Sequence, residues 1–289
     1  MLTWFPNPYP DELFYSVLCR YYLGSGIKEH YLVKKQLFGT KAGAKMATLY
    51  PNATIHAILS QLPEKVFDGR DMILHHTPFL YYARMYPQQE REALLDDLLQ
   101  GRGKTPTHLW KTFPKDDYAL RYCPLCIQED TKIYGEPYYH VEHQIPLSSV
   151  CVRHRCRLKQ IAITNPRLSM NNRFFPLSTV ETDREPDMDV SPAELRASGL
   201  VREYWRLPAS ISPPAHNNLY QTLLNSGYMT IVRQNGPNID RTKLYAALCG
   251  CHGAEAVKRV FGENISGTMM NLSLIHISEP TDRQKSRMP

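Results

Sequence analysis

The sequence lacks the features of membrane and secreted proteins. None of the apolar runs in its 289 residues is long enough to cross a bilayer. The first ten residues contain three prolines and have neither a basic region nor an apolar centre, which excludes a signal helix there. Only seven cysteines are present. We therefore expect no membrane partner and a reducing, cytoplasmic location, where clustered cysteines hold a metal more often than they form disulfides.

Two further absences exclude other classes. No internal repeat is visible, and the tempting phosphate-loop segment GRGKT (101–105) fails because the motif needs glycine at 98, where Leu98 stands. Exposed Arg102 and Lys104 in a linker are the better interpretation. The charge balance is mild: 34 Lys and Arg against 28 Asp and Glu give +6, which alone is weak evidence for a polyanionic partner.

The last residues, 272–289, do not resemble the rest of the chain. LSLIHISEPT (272–281) matches the translation of a transposase-adapter DNA used in sequencing libraries, and the final SRMP fits the far end of such an adapter. We expect this tail to be an artefact that replaces a natural C-terminal part. Without its three basic and two acidic residues, 31 basic residues stand against 26 acidic ones, a net charge of +5.

What is present predicts a mainly α protein. Apolar residues at helical spacing follow Asp11, which can cap a helix, up to Gly24. Others precede Gly39 and follow the cap residue Asn52, and another buried segment is interrupted at Pro78. No alternating strand pattern occurs in the first hundred residues. The predicted organisation is a helical bundle of helix-turn-helix-like character (1–115), a zinc-finger module (116–162), a linker or irregular connector (163–215), a second helical domain (216–271) and the tail (272–289).

The second helical domain ends in a helix pair. DRTKLYAALCG and AEAVKRVFG meet across Gly250–Gly253, and a short glycine-containing turn between two helices resembles a helix-turn-helix unit. Such pairs are also common as plain packing units, so the pattern alone is weak evidence for DNA binding.

Two pairs of metal-ligand residues stand out. Cys123 and Cys126 form C-x2-C, and Cys151 and His154 form C-x2-H after 24 intervening residues. Two closely spaced pairs joined by a loop place four ligands around Zn²⁺, and thiolate with imidazole favours zinc over magnesium or calcium. We expect one structural zinc, because four protein ligands leave no open position for catalysis.

Other thiols and imidazoles are weaker ligand candidates. Cys156 and His143 are spare candidates near the two pairs, and Cys156 is expected to be a bystander. Cys249, Cys251 and His252 lack a partner pair, so we interpret them as ordinary residues at a helix end.

Basic residues surround these ligands and the last helix. A rigid module that carries arginines can lie against phosphates, although a solvated basic face explains the pattern nearly as well. The candidate nucleic-acid-binding residues are Arg121, Arg153, Arg155, Arg157, Lys159, Lys258 and Arg259.

One enzymatic alternative stays open. HVEHQIP resembles the core of metal-dependent His-Asn-His endonucleases, with Glu142 and His143 as candidates. Only seven residues separate His143 from Cys151, which is too short for the rest of that motif, and such a site needs convergent carboxylates and an open metal position.

Several stretches together resemble the TniQ/TnsD family of transposon target-site selectors. FPNPYPDELFYSVLCR fits the family's proline-rich start and its Glu-x3-Ser-x3-Arg pattern with Glu12, Ser16 and Arg20. HTPFLYYA, RYCPLC and IPLSSVCVRH continue the resemblance, and 219–262 resembles the TnsD-type C-terminal region. One departure is Arg155, where the family usually has a small residue after the histidine.

The resemblance implies a non-enzymatic adaptor in the cytoplasm of bacteria. Such proteins bind duplex DNA at a target and recruit an AAA+ regulator ATPase, which in turn licenses the transposase. The residues themselves are compatible with this role, but they do not separate DNA binding from a protein-only zinc adaptor.

Overall fold

The computed structural model describes residues 2–39, 55–63, 65–84, 86–102, 120–145, 148–161, 173–211, 223–232 and 236–261. Within these ranges the protein is mainly helical with a few two-residue to four-residue strands, which confirms the predicted fold class. The predicted cap Asn52, the linker residue Lys104, the first residues (216–222) of the predicted second helical domain and the tail 272–289 lie outside the described residues.

Six helices lie in the described residues of the N-terminal part. They are α1 (Phe14–Gly24), α2 (His30–Phe38), α3 (Ile55–Leu59), α4 (Gly69–His75), α5 (Phe79–Ala83) and α6 (Gln88–Leu99). Gly39 ends α2 with φ 57°, a backbone conformation that glycine adopts without strain. The predicted break at Pro78 is confirmed, since this residue lies between α4 and α5 and caps α5. Leu95 and Leu98 form the buried face of α6.

The beginning of α1 differs from the prediction. Asp11 was expected to cap the helix, but the cap position is Leu13, which has no capping side chain. Asp11 instead has φ 59°, a left-handed conformation that aspartate tolerates better than most residues. Its carboxylate lies 3.4 Å from Nδ1 of His140. Asp11 therefore contacts a residue that is distant in sequence and not the N–H groups at the start of α1.

The cysteine-rich region folds into two short antiparallel ribbons and two helices. β1 (Arg121–Tyr122) leads into α7 (Pro124–Tyr134) and then α8 (Val141–Gln144). β2 (Val150–Cys151) pairs with β3 (Cys156–Arg157), and β4 (Lys159–Gln160) returns to pair with β1. The region therefore closes on itself, with its first and last strands side by side.

The range predicted as an irregular connector contains a long helix. α9 (Pro192–Arg206) begins with a capping box, in which the Ser191 hydroxyl accepts from the Glu194 N–H and the Glu194 carboxylate accepts from the Ser191 N–H. Its residues Val201 and Trp205 are buried in the main core. This corrects the prediction that 163–215 is irregular, although the domain boundaries themselves stay a prediction.

Two buried arginines fix the chain that follows α9. The guanidinium of Arg84 donates to the carbonyls of Leu207, Pro208 and Ile211 at 2.6, 2.9 and 3.0 Å. Arg91 donates to the Ala209 carbonyl at 2.8 Å. The proline-containing stretch, which the sequence analysis placed in the connector, is thus attached to α5 and α6 through hydrogen bonds from the two arginines to its backbone carbonyls.

The C-terminal part contains a hairpin and a helix pair. β5 (Met229–Val232) pairs with β6 (Gly236–Ile239), followed by α10 (Arg241–His252) and α11 (Ala254–Phe261). Asp240 caps α10 by accepting from the Lys243 N–H. Only Gly253, with φ 87°, separates the two helices, whereas the sequence suggested a four-residue turn.

One large hydrophobic core joins residues that are far apart in sequence. It contains side chains of α1 to α6, of the cysteine-rich region (Tyr122, Ile127, Tyr139) and of the later segment (Phe174, Trp205). A second, small cluster contains the four cysteines at 123, 126, 151 and 156 with Leu158. Among the described residues, no helix combines the length and apolar character that crossing a bilayer requires.

Candidate metal centre

The first ligand pair lies at the beginning of α7. Cys123 is the N-cap residue, and its sulfur accepts from the Cys126 N–H at 3.4 Å. Pro124 occupies the first helical turn, where its missing N–H costs no hydrogen bond. Because the cap and the third residue of the first turn face the same side, both sulfurs point to one point in space.

The second ligand pair is Cys151, at the end of β2, and His154, on the turn between β2 and β3. Cys151 and Cys156 are directly opposite each other in the ribbon, and the Arg155 N–H donates to the Cys151 carbonyl at 2.7 Å. Arg155 adopts the left-handed conformation with φ 52°, which lets the chain reverse directly after His154. The tight turn brings the imidazole of His154 back over the sulfurs.

The four predicted ligands converge. Nδ1 of His154 lies 3.5, 3.3 and 3.6 Å from the sulfurs of Cys123, Cys126 and Cys151. The sulfurs of Cys126 and Cys151 are 3.8 Å apart, and all four ligand atoms lie within 4.8 Å of one another. Ligands at about 2.3 Å (sulfur) and 2.0 Å (nitrogen) from a tetrahedral ion have edges of this length. The cluster can therefore hold a metal ion, and its donor set fits zinc.

The spare candidates take neighbouring positions. The Cys156 sulfur is 3.2 Å from that of Cys123 but is not part of the group of four ligand atoms. His143 is buried, its ring centroid lies 4.9 Å from that of His140, and burial lowers its pKa.

Hydrogen bonds with the neighbouring thiols hold the pKa of Cys123 far below its usual range. Cysteine binds a metal as the thiolate, so a thiol that loses its proton readily suits a metal ligand.

A carboxylate that the sequence analysis missed supports the histidine. Nε2 of His154 lies 3.2 Å from Glu129, whose other carboxylate oxygen pairs with Arg153. Metal-bound histidines commonly contact a carboxylate through their second nitrogen, which fixes the ring orientation. Glu129 lies three residues after Cys126 on α7, so helical spacing places the two on adjacent positions of one face.

The basic residues predicted to bind DNA have diverse environments. Arg121 is buried and donates to the carbonyls of Gln144 and Ser148, so it holds the module together. Arg157 pairs with Asp187 and Glu194. Lys159 pairs with Asp183. Arg155 is exposed, and within the described part of the chain it has no ion-pair partner.

The C-terminal candidates are less defined. Lys258 is exposed on α11, while the Arg259 side chain lies outside the described part of the structure. Cys249 is half-buried and Cys251 exposed. The metal-ligand group described above does not include either of them.

Acidic and basic side chains line a pocket of about 350 Å³ beside the metal centre. His140 lies between Asp11 and Asp130, at 3.4 and 3.0 Å. Burial lowers the pKa of His140, but its hydrogen bonds with the two carboxylates outweigh this effect and raise that pKa to about 10. Burial raises the pKa of Asp11 to about 6. The imidazolium thus joins the N-terminal segment to α7.

The nuclease candidates do not form a hydrolytic centre in this arrangement. Oε2 of Glu142 lies 3.1 Å from Arg202 and 3.2 Å from Arg206, and both guanidinium groups compete for this oxygen with any cation. His143 is 2 % exposed. A hydrolytic metal site requires convergent ligands around an open position, and two arginines against a carboxylate oppose metal binding there.

The residues of the Glu-x3-Ser-x3-Arg pattern connect α1 to the cysteine-rich region. Arg20 donates to Glu12 at 2.9 Å and to Glu136 at 2.7 Å, and its guanidinium lies 3.7 Å above the Tyr9 ring. The Ser16 hydroxyl accepts from the Tyr139 N–H at 3.1 Å. Burial raises the pKa of Glu12 to about 7, although Arg20 opposes the shift. The pattern thus stabilises an interface within the protein.

Together, these features define a class: a mainly helical protein with a module in which three cysteines and one histidine converge and could hold a metal ion. The sequence profile of the TniQ family matches residues 3–158, which is more than half of the chain. The chain belongs to the TniQ family.

A curated relative agrees with this assignment. The chain is 27% identical over 157 residues to the transposon Tn7 transposition protein TnsD of Escherichia coli. The aligned part covers 52% of this chain and 30% of that protein. The chain therefore spans less than a third of the length of this relative.

Proposed function

We propose that this protein selects the insertion site of a bacterial transposon. In this proposal it binds duplex DNA at the target and recruits an AAA+ regulator ATPase, and the transposase is engaged only through that regulator. The observation that carries the proposal is the TniQ match over residues 3–158. Similarity to a protein named for transposition supports it.

The metal centre has a structural role in this proposal. One Zn²⁺ held by Cys123, Cys126, Cys151 and His154 would join α7 to the β2–β3 turn, because the four ligands come from these two segments. The ion would supply stability and no chemical step. The residues around it would then position basic side chains rather than react with DNA.

The proposed DNA contacts follow from exposure for Arg155 and Lys258, and from sequence position on α11 for Arg259. Arg155 extends from the metal-bound turn, and Lys258 and Arg259 belong to α11, the helix that follows the short break after α10. The second helix of such a pair is the one that enters the major groove in helix-turn-helix proteins. Arg153, Arg157 and Lys159 are already ion-paired, and Arg121 is buried and therefore excluded.

A salt-titrated binding assay tests the proposal. The full-length natural protein is titrated with its own insertion locus and with a scrambled duplex of equal length. We expect tighter binding to the locus, and each lost phosphate contact should flatten the slope of log affinity against log salt by about 0.9. Arg155→Gln should show such a loss, with Lys35→Gln, which removes an exposed cation on α2, as its control.

A protein-only adaptor is the alternative, and the internal pairing of Arg153, Arg157 and Lys159 favours it. Equal affinity for both duplexes at every salt concentration would establish this alternative. Metal-dependent cleavage of DNA that disappears in Glu142→Ala/His143→Ala would instead revive the endonuclease hypothesis.

A further inference from the structure

An acidic stretch of the chain lies along the strands β3 and β4. We call residues 181–194 the acidic segment, because they contain six carboxylates and a single basic residue, Arg184. The carboxylates are Glu181, Asp183, Glu185, Asp187, Asp189 and Glu194. The segment leads into α9, so it is anchored at its C-terminal end by a buried helix.

The contacts of Arg157 show how closely the acidic segment follows these strands. Its Nε lies 3.1 Å from Asp187, and its two terminal nitrogens donate to Glu194 and to the Asp189 carbonyl. Its backbone N–H also donates to the Asp187 carbonyl at 2.8 Å. Each nitrogen of this guanidinium is therefore engaged by the acidic segment.

Lys159, two residues along the chain, is covered in the same way. Its ammonium group pairs with Asp183. The Asp183 N–H in turn donates to the hydroxyl of Tyr122, on the neighbouring strand β1, at 2.9 Å. The two cations of the β3–β4 surface thus each meet a carboxylate of the acidic segment, Asp187 and Asp183 respectively.

These ion pairs cover the cations, but they are weak enough for another anion to replace the carboxylates. Asp183 is 64 % exposed and Asp187 42 % exposed, so water and salt screen both pairs. Exposed pairs of this kind contribute little to stability, because solvent and salt screen their attraction. Duplex DNA presents one negative charge about every 1.7 Å and can replace such carboxylates by phosphates.

We propose that Arg157 and Lys159 form a phosphate-binding surface for duplex DNA, and that the acidic segment is its internal competitor. This inference rests on the proposed function. The competitor would weaken contact with arbitrary DNA, because every duplex must first displace Asp183 and Asp187. A cognate site that supplies further contacts elsewhere would overcome that cost.

The decisive comparison uses two variants of equal net charge. Asp183→Asn/Asp187→Asn removes the exposed carboxylate that pairs with each cation, while Arg157 keeps its contact with the nearly buried Glu194. Glu181→Gln/Glu185→Gln removes two carboxylates of the same segment that have no ion-pair partner within the described residues. Heparin chromatography and salt-titrated duplex binding are measured for both, and thermal unfolding confirms that both are folded.

We expect the first variant to elute from heparin at higher salt than the second. Its slope of log duplex affinity against log salt should be steeper by up to about two units, since two phosphate contacts become available. Adding Arg157→Gln/Lys159→Gln to the first variant should cancel the gain. This fourfold variant has the altered acidic segment but lacks the two cations. It therefore shows whether the gain in binding comes from uncovering the cations or from a change in stability.

A second measurement reports displacement in the wild type. The Arg157 amide, which donates to Asp187, should exchange its hydrogen faster when a duplex is bound. Equal elution of the two charge-matched variants, or unchanged exchange at Arg157 in a saturated complex, would overturn the proposal. A heparin difference without any duplex binding would retain the surface as a polyanion site and count against the proposed function alone.

Discussion

The large hydrophobic core and the small cysteine cluster stabilise the molecule by different means. Around α1 to α6, buried apolar side chains such as Leu37, Ile58 and Ile73 pack against one another, and burial of apolar area is the main stabilising force. The cysteine cluster buries hardly any aliphatic surface beyond Leu158. The cluster itself therefore depends on its ligand set, while neighbouring side chains such as Tyr122 and Ile127 belong to the large core. Metal binding and hydrophobic packing should be separable by mutation.

The largest effect is expected at the metal ligands. Cys151→Ser should abolish stoichiometric metal binding and unfold the cysteine-rich region, because binding of zinc by small modules contributes about 10–16 kcal/mol. Elemental analysis and thermal unfolding measure both consequences.

The contrasting control lies in the other core. Leu37→Ala should lower the free energy of unfolding by about 2–5 kcal/mol through the cavity it leaves, while the metal content stays unchanged. If the Cys151→Ser protein were stable and still bound one metal ion per chain, the cysteine cluster would not depend on its four-ligand set.

A smaller effect is expected at the carboxylate beside the ligands. Glu129→Gln should weaken metal affinity about 10-fold to 100-fold, since the contact that orients His154 loses its charge. Chelator competition measures this affinity. Arg153→Gln, which keeps Glu129, is the matched variant and should weaken the affinity less; equal effects in the two would assign the loss to the arginine.

The junction between the two regions should respond to pH. The pKa of His140, about 10 in the folded protein, exceeds the usual value of about 6.5. The native state then binds the extra proton, so stability is fully present below pH 6.5 and decreases as pH rises through 10. Between pH 7 and 9.5 we expect the free energy of unfolding to decrease by about 1.4 kcal/mol per pH unit at most.

The control for this pH effect is His140→Gln, in which the dependence should flatten. Asp11 and Glu12 have pKa values of about 6 and 7, so their titration lies mainly below the chosen range. Denaturant unfolding at several pH values gives the slopes. Parallel curves for the wild type and the variant would contradict an imidazolium at position 140.

The smallest expected effect is a gain. Arg155 has φ 52°, which costs about 1 kcal/mol for a residue with a side chain, so Arg155→Gly should stabilise the protein by about that amount. Arg155→Ala removes the same charge but keeps the strained backbone, and it should not stabilise. Thermal unfolding of the metal-bound proteins decides, and equal melting temperatures for the two variants would refute the strain.

The sequence allowed the ligand set and the helical class to be predicted, because both depend on local spacing. Two C-x2 pairs define the ligands, and Gly39 and Pro78 mark helix boundaries at positions that the structure confirms. Ser191 and Glu194 form a capping box that signals the start of α9, but the prolines and acidic residues around it were interpreted as a connector.

The partners of the charged residues could not be predicted in this way. Arg157 pairs with Asp187, 30 residues away, and Arg20 pairs with Glu136, 116 residues away. Such contacts depend on the tertiary arrangement, which periodicity does not encode. A row of basic residues therefore resembled an open basic face, although most of its members were already paired.

The Glu-x3-Ser-x3-Arg pattern has a consequence for synthesis on the ribosome. Ser16 and Arg20 bond to Tyr139 and Glu136, and Tyr15 bonds to the carbonyl of Arg173, 158 residues later. At a translation rate of about 5–20 residues per second, α1 waits roughly ten to thirty seconds before its partners emerge. During that interval its apolar face is open to chaperones and proteases, and the nascent chain reaches its native topology late.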